Sequence, residues 1–161
     1  MDLMDNWEKI RSHFSKSFGT SLHVSIASVD KDHLPTITPI GSLFLNTDLT
    51  GFYFEMFPTK LPNLSPANRK VCVLGVNSSR FFWFRSLLTT KFSAHPAIKL
   101  YGELGEKRKA TEAEISALKR RMRATKRLKG HKYLWDQMEM VREITFTKAE
   151  KINLGKMTAH L

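Results

Sequence analysis

The sequence predicts a small, mostly antiparallel β-barrel with helices packed on its outside. Three observations carry that prediction. Short apolar runs alternate with period two, polar turns follow them closely, and clear helical stripes occur only at the start and late in the chain. A barrel of this size is filled by its own side chains, so a small ligand would bind on its outside or at a subunit interface.

The elements follow in order. Leu3, Trp7, Ile10, Phe14 and Phe18 fall on one helical stripe, which predicts a helix over residues 2–18, with Asp2 or Asp5 as cap and Gly19 at its end. Residues 22–29 alternate and predict a strand, followed by the turn Asp30-Lys31-Asp32-His33. Residues 36–44 predict a second strand, bent or at a sheet edge because Pro39 has no N–H to donate. Residues 52–56 and 71–76 predict two more. Between them Pro62 and Pro66 oppose a long helix. Residues 80–96 are aromatic and basic without a clean period. A long strand is expected over 98–108, bulged near Gly102 or Gly105. Thr111 and Glu114 have capping-box spacing, which opens a helix over 111–128, and Gly130 would end it. Residues 140–154 supply one or two closing strands. No repeat or composition break divides the 161 residues, so one domain is expected, its barrel formed by residues 21–108 and 138–154.

Composition removes several function classes. Cys72 is the one cysteine, which excludes a disulfide framework and a cysteine-based zinc site, and it reads as an inert, buried thiol. No charge-free stretch approaches the ~20 apolar residues of a membrane span. The acidic start lacks the order of a signal peptide, so the expectation is a soluble cytoplasmic protein with no membrane partner. The net charge of +11 is concentrated: residues 107–132 hold eleven Lys or Arg against Glu112 and Glu114. That helix lacks interleaved aromatic residues for base stacking, and its cations suit a solvated face and the C-terminal end of the helix dipole. Nucleic-acid or anionic-membrane binding is the competing reading.

Four segments in series carry a family likeness. They are the strand and turn "HVSIASVDKDH" with the proline-led strand "LPTITPIGSLFL", then "GFYFEM", "PTKLPNLSPANRKVCVL" and "IKLYGELGEKRKATEAE". Together they resemble the pyridoxamine 5′-phosphate oxidase-like family, the FMN-binding split β-barrels, over roughly residues 20–115. His33 stands where the family's turn commonly has glycine, and Thr38 where the oxidase itself usually has arginine.

The resemblance implies an FMN site, a homodimer, and flavin-dependent oxidoreductase chemistry on a small-molecule substrate. It places Thr38, Pro39, Ile40 and Gly41 beside the isoalloxazine ring, Glu55 and Met56 near the ribityl and phosphate, and Thr59 and Lys60 on the phosphate. A dianionic phosphate is well served by an ammonium and a hydroxyl donor on a short loop. Glu55 also reads as an exposed strand residue paired with a lysine, and Asn63 as a turn cap. Phe81, Phe82, Trp83 and Phe84 cannot all be buried by one strand face. They form either a flavin wall or substrate lid, with Arg85 and Lys91 drawing in an anion, or a subunit contact. No catalytic acid or base is identifiable, and Arg85 is the candidate for orienting substrate. The other reading is a non-catalytic module: a flavin or haem carrier, with His160 the haem candidate, or a nucleic-acid binder using the basic helix. A deazaflavin in place of FMN is a further alternative, and no metal spacing occurs among the histidines.

Overall fold

The computed structural model describes residues 1–56, 61 and 68–161. Helix α1 (Trp7–Ser21) leads into β1 (Val24–Val29), β2 (Pro35–Ile40), β3 (Leu43–Leu45), β4 (Thr50–Phe54) and β5 (Lys70–Val76). Helix α2 (Arg80–Thr89) precedes β6 (Ala97–Lys109), and α3 (Glu112–Arg121) and α4 (Lys129–Trp135) precede β7 (Met140–Lys151). The first helix starts later than its apolar stripe, because the Asp2 side chain caps a preceding turn at Asp5, and it runs through Gly19 to a left-handed Leu22 whose N–H donates to the Phe18 carbonyl.

All strand pairs are antiparallel, in the order β2-β1-β5-β6-β7-β4-β3. That order forces closure. The strands at opposite edges, β2 and β3, are joined by Gly41 and Ser42 alone, so their ends lie at most roughly 11 Å apart. A flat sheet of seven strands would separate them by about 29 Å. The sheet therefore curls on itself, with a split between β2 and β3 rather than a ladder. Consistent with this, Ile40 and Leu43 from the two edges share one buried cluster with Ile26, Val73, Leu100 and Ile144. Helix α1 adds Trp7, Ile10 and Phe14 to that cluster.

Alternation along β4 divides inside from outside. Tyr53 enters the inner cluster, while Phe52 and Phe54 form an outer one with Leu118, Met122, Met138 and Val141, beneath α3. Pro39 does lie on an edge strand. The β6–β7 ladder slips between Tyr101 and Gly102 and again between Leu104 and Lys107, beside both glycines at which a bulge is expected. His33 takes φ +60°, the left-handed conformation that favours glycine, and Asp30 Oδ1 closes its turn by accepting from the N–H groups of Asp32 and Leu34.

Two expectations need correction. The aromatic segment after β5 is a helix. Ser79 caps α2 by accepting from the Phe82 N–H, and the Trp83 indole donates to the Asn77 carbonyl at 2.7 Å. The basic helix is shorter than residues 111–128. Its capping box is present, but α3 ends at Arg121, a 3₁₀ turn follows over Arg123–Thr125, and Gly130 lies inside α4. Lys119, Arg123 and Arg127 are four residues apart in turn, and such like-charge pairs oppose a continued helix. The Thr125 hydroxyl also donates to the Met122 carbonyl, which holds the tighter turn.

Candidate functional site

The outer face of the β2 edge carries a cavity of about 300 Å³. Thr38, Pro39, Ile40 and Gly41 form one wall, and Phe54, Trp135 and Met138 face them. Ser42 fixes the edge crossing: its hydroxyl accepts from the Phe54 N–H at 3.1 Å and donates to the Phe54 carbonyl at 3.3 Å. Gly41 matters here because a Cβ would sit 3.3 Å from the Trp135 indole and 3.4 Å from the Leu22 carbonyl. The cavity is thus a largely apolar slot between a strand and an indole, bounded where the glycine lets the indole approach.

The remaining expected residues divide. Thr59, Lys60 and Asn63 lie outside the described residues. Met56 is exposed just beyond β4. Glu55 is not an exposed strand residue: its side chain is 2% exposed and anchors an ion cluster. Arg142 Nε lies 2.5 Å from Glu55 Oε2, the Tyr53 hydroxyl donates to the same oxygen at 2.9 Å, and Lys107 Nζ is 3.5 Å from Oε1. Burial pushes the Glu55 carboxyl up, but hydrogen bonds from Arg142 and Tyr53 and the charges of Arg142 and Lys107 outweigh it and hold the carboxyl below its ordinary range. Burial, then the Glu55 charge, push the Tyr53 phenol well up. This cluster forms because β4–β7 pairing sets Tyr53 opposite Arg142 and brings that guanidinium to Glu55.

Arg85 does not line the β2 slot. It lies on α2, in a second groove with Lys16, Lys91, Phe82, Phe92 and His160. His160 donates from Nε2 to the Phe92 carbonyl at 3.0 Å, and no cluster among the described residues has the makings of a metal site. Phe82, Trp83 and Phe92 pack as an aromatic cluster under α2.

The charged segment is less free than its composition suggests. Arg108 is held by Glu114 and Glu143, each at 2.7 Å. Arg121 turns inward: it donates to the Leu43 carbonyl, and its guanidinium lies 3.4 Å from the Phe44 ring centre. Burial lowers its pKa to about 10, so it stays charged at neutral pH. Cys72 is half-buried, and burial raises its thiol pKa. No sequence pattern marks Trp135, Met138, Phe54 or Ser42 as site residues. The one local signal was the apolar run Tyr133-Leu134-Trp135 inside a basic stretch.

The fold is that of the FMN-binding split barrels, the architecture of the pyridoxamine 5′-phosphate oxidase-like family. An FMN-binding protein from Syntrophomonas wolfei superposes with a TM-score of 0.56 at 16% identity, covering 93% of this chain and 94% of that one. A candidate pyridoxamine 5′-phosphate oxidase from Lactobacillus delbrueckii gives 0.51 at 14% identity over 86% and 90%. HutZ, the haem storage protein from Vibrio cholerae, gives 0.50 at 9% identity over 89% and 92%. No protein-family model and no curated protein matches the sequence. No described helix is long and apolar enough to cross a membrane.

Proposed function

We propose that this protein binds FMN against the outer face of β2 and uses it in oxidoreductase chemistry on a small molecule, as a homodimer. The observation that carries this reading is the slot itself: Thr38, Pro39, Ile40 and Gly41 share one apolar cavity with Phe54, Trp135 and Met138. Its volume, about 300 Å³, is at the small end of ligand pockets and suits the flat part of a ligand rather than all of FMN. The ring fits this lining, and the chain supplies the anionic end with Thr59 and Lys60 on the segment after β4. When bound, FMN supplies hydride and electron transfer. The protein's part is to orient the ring along Pro39–Gly41 and to keep water from it with Trp135 and Met138. Fold likeness to an FMN-binding protein supports this reading. The dimer is supported by exposed apolar side chains on α2, Phe81, Phe84, Leu87 and Leu88, which are 61–72% exposed in one chain.

The visible spectrum of the purified protein and a titration with FMN test the cofactor. A yellow protein, or an apoprotein that takes up FMN at one site per chain, is expected. A Soret band instead would favour the haem carrier, a reading that draws on the likeness to HutZ. For the phosphate, Lys60→Ala is expected to weaken FMN roughly ten- to hundredfold, since a charge-assisted hydrogen bond is worth ~1.5–3 kcal/mol. Riboflavin, lacking the phosphate, should bind both forms alike. Sedimentation at micromolar concentration should give about twice the 18.5 kDa chain mass.

A further inference from the structure

The groove under α2 shares no residue with the β2 slot and is larger, about 620 Å³. Its chemistry is also different. Phe82 and Phe92 supply aromatic surface, with Phe92 only 1% exposed. Lys16 from α1, Arg85 from α2 and Lys91 beyond α2 surround that surface. No Asp or Glu lines the groove, and among the described residues none of these three cations makes an ion pair. The surrounding sequence has the same bias: residues 56–102 contain seven Lys or Arg and no Asp or Glu. Helix α2 turns most of the proposed dimer stripe away from this face, and only Phe81, at the rim of the groove, belongs to both. Phe82, Arg85, Ser86 and Thr89 follow helical spacing into the groove, whereas Phe84, Leu87 and Leu88 share the opposite, exposed side.

We infer that this groove is a second binding site, for a planar aromatic compound carrying a carboxylate, sulfonate or phosphate. The aromatic floor removes the apolar body from water, and three uncompensated cations select the anionic group. Gly19 of α1 gives direct access to a test. It lines the groove, and a Cβ built on it meets no atom within 4 Å, so a side chain can be introduced at the groove's edge without its Cβ pressing on packed atoms.

The probes are 8-anilinonaphthalene-1-sulfonate and its uncharged counterpart N-phenyl-1-naphthylamine, both followed by fluorescence on the full chain, with circular dichroism to check folding. The sulfonate is expected to bind at one site per chain. Arg85→Gln with Lys91→Gln should weaken it about tenfold or more and leave the uncharged probe within about twofold. Gly19→Trp should abolish binding of both probes while FMN uptake persists. Sulfonate binding that survives Gly19→Trp, or equal loss of both probes in the charge variant, overturns the site. Loss of FMN uptake in Gly19→Trp overturns it too, since the groove would then be the flavin's. If Gly19→Trp does not fold, the two-probe comparison on the charge variant decides alone. A protein that never takes up FMN but shows the expected probe pattern refutes the flavin reading and leaves this one standing.

Discussion

Replacing Glu55 by glutamine removes one charge from the buried cluster that joins β4 to β7 and the β6 bulge. The substitution preserves shape, so packing hardly changes. What remains is the Arg142 guanidinium, 13% exposed, bonded to the Gly105 carbonyl at 3.0 Å but without its carboxylate. Breaking one side of a buried ion pair costs about 3–5 kcal/mol. The new amide oxygen would still accept one hydrogen bond, and Lys107 is 42% exposed and can turn to water, so the low end, about 3 kcal/mol, applies. At a urea slope of ~1–3 kcal/mol/M, the midpoint should fall by at least about 1 M. Adding Arg142→Met should recover part of the loss, because the stranded charge goes with it. The effect depends on pH in a defined direction. The folded-state pKa of Glu55 lies below its unfolded value, so its stabilisation is full above the ordinary carboxylate range and is lost as pH falls through the lowered pKa. Parent and Glu55→Gln should therefore converge in acid. A midpoint within about 0.3 M of the parent at pH 7, or a double variant weaker than either single one, would refute the argument.

Three further outcomes are expected. Gly41→Val should press on the Trp135 indole and narrow the β2 slot, weakening FMN and riboflavin together by tenfold or more. Loss of FMN alone would put the ring elsewhere. Thr111→Ala removes the α3 cap and should cost about 1 kcal/mol, or a melting-temperature drop of about 2–4 °C by calorimetry. An unchanged melting temperature would mean that α3 adds little to cooperative stability. Below pH 6.5 the parent should lose stability. Burial lowers the His13 pKa, against a hydrogen bond to the Gly75 carbonyl and helped by Lys16. Burial and then Lys151, with His13 and His160 as neighbours, lower that of His95. The unfolded chain then takes up protons first as pH falls through about 6.5, so urea midpoints should be lower at pH 5.5 than at pH 7.5. A midpoint that rises on acidification contradicts the assignment.

Strands were legible in the sequence where short apolar runs are bounded by turn residues. Alternation marked β1, short runs between turn residues marked β4, β5 and β6, Pro39 marked an edge, Gly102 and Gly105 marked bulges, and Thr111 with Glu114 marked a helix start. Each is a local signal, written within a few residues. Helix α2 was not legible for the same reason. Its aromatic residues serve the groove, the aromatic cluster of Trp83 with Phe92 and the exposed stripe at once, so no single period survives.

The site shows the same division more sharply. The residues Thr38–Gly41 could be singled out from their strand, yet what faces them depends on chain far away. Trp135 reaches Gly41 only because the chain after α3 folds back over β4, and Arg142 meets Glu55 across 87 residues of sequence. Arg121 reads as one more surface cation until Phe44 and the Leu43 carbonyl take it in. The sequence alone determined most of the strands and their turns, but the single strand expected over residues 36–44 is two, β2 and β3, at opposite edges of the sheet. Tertiary structure decided which charges are consumed and that Arg85 belongs to a different cavity. Such pairings are set by strand register and barrel closure, and a local pattern carries no record of a contact made by a partner dozens of residues away.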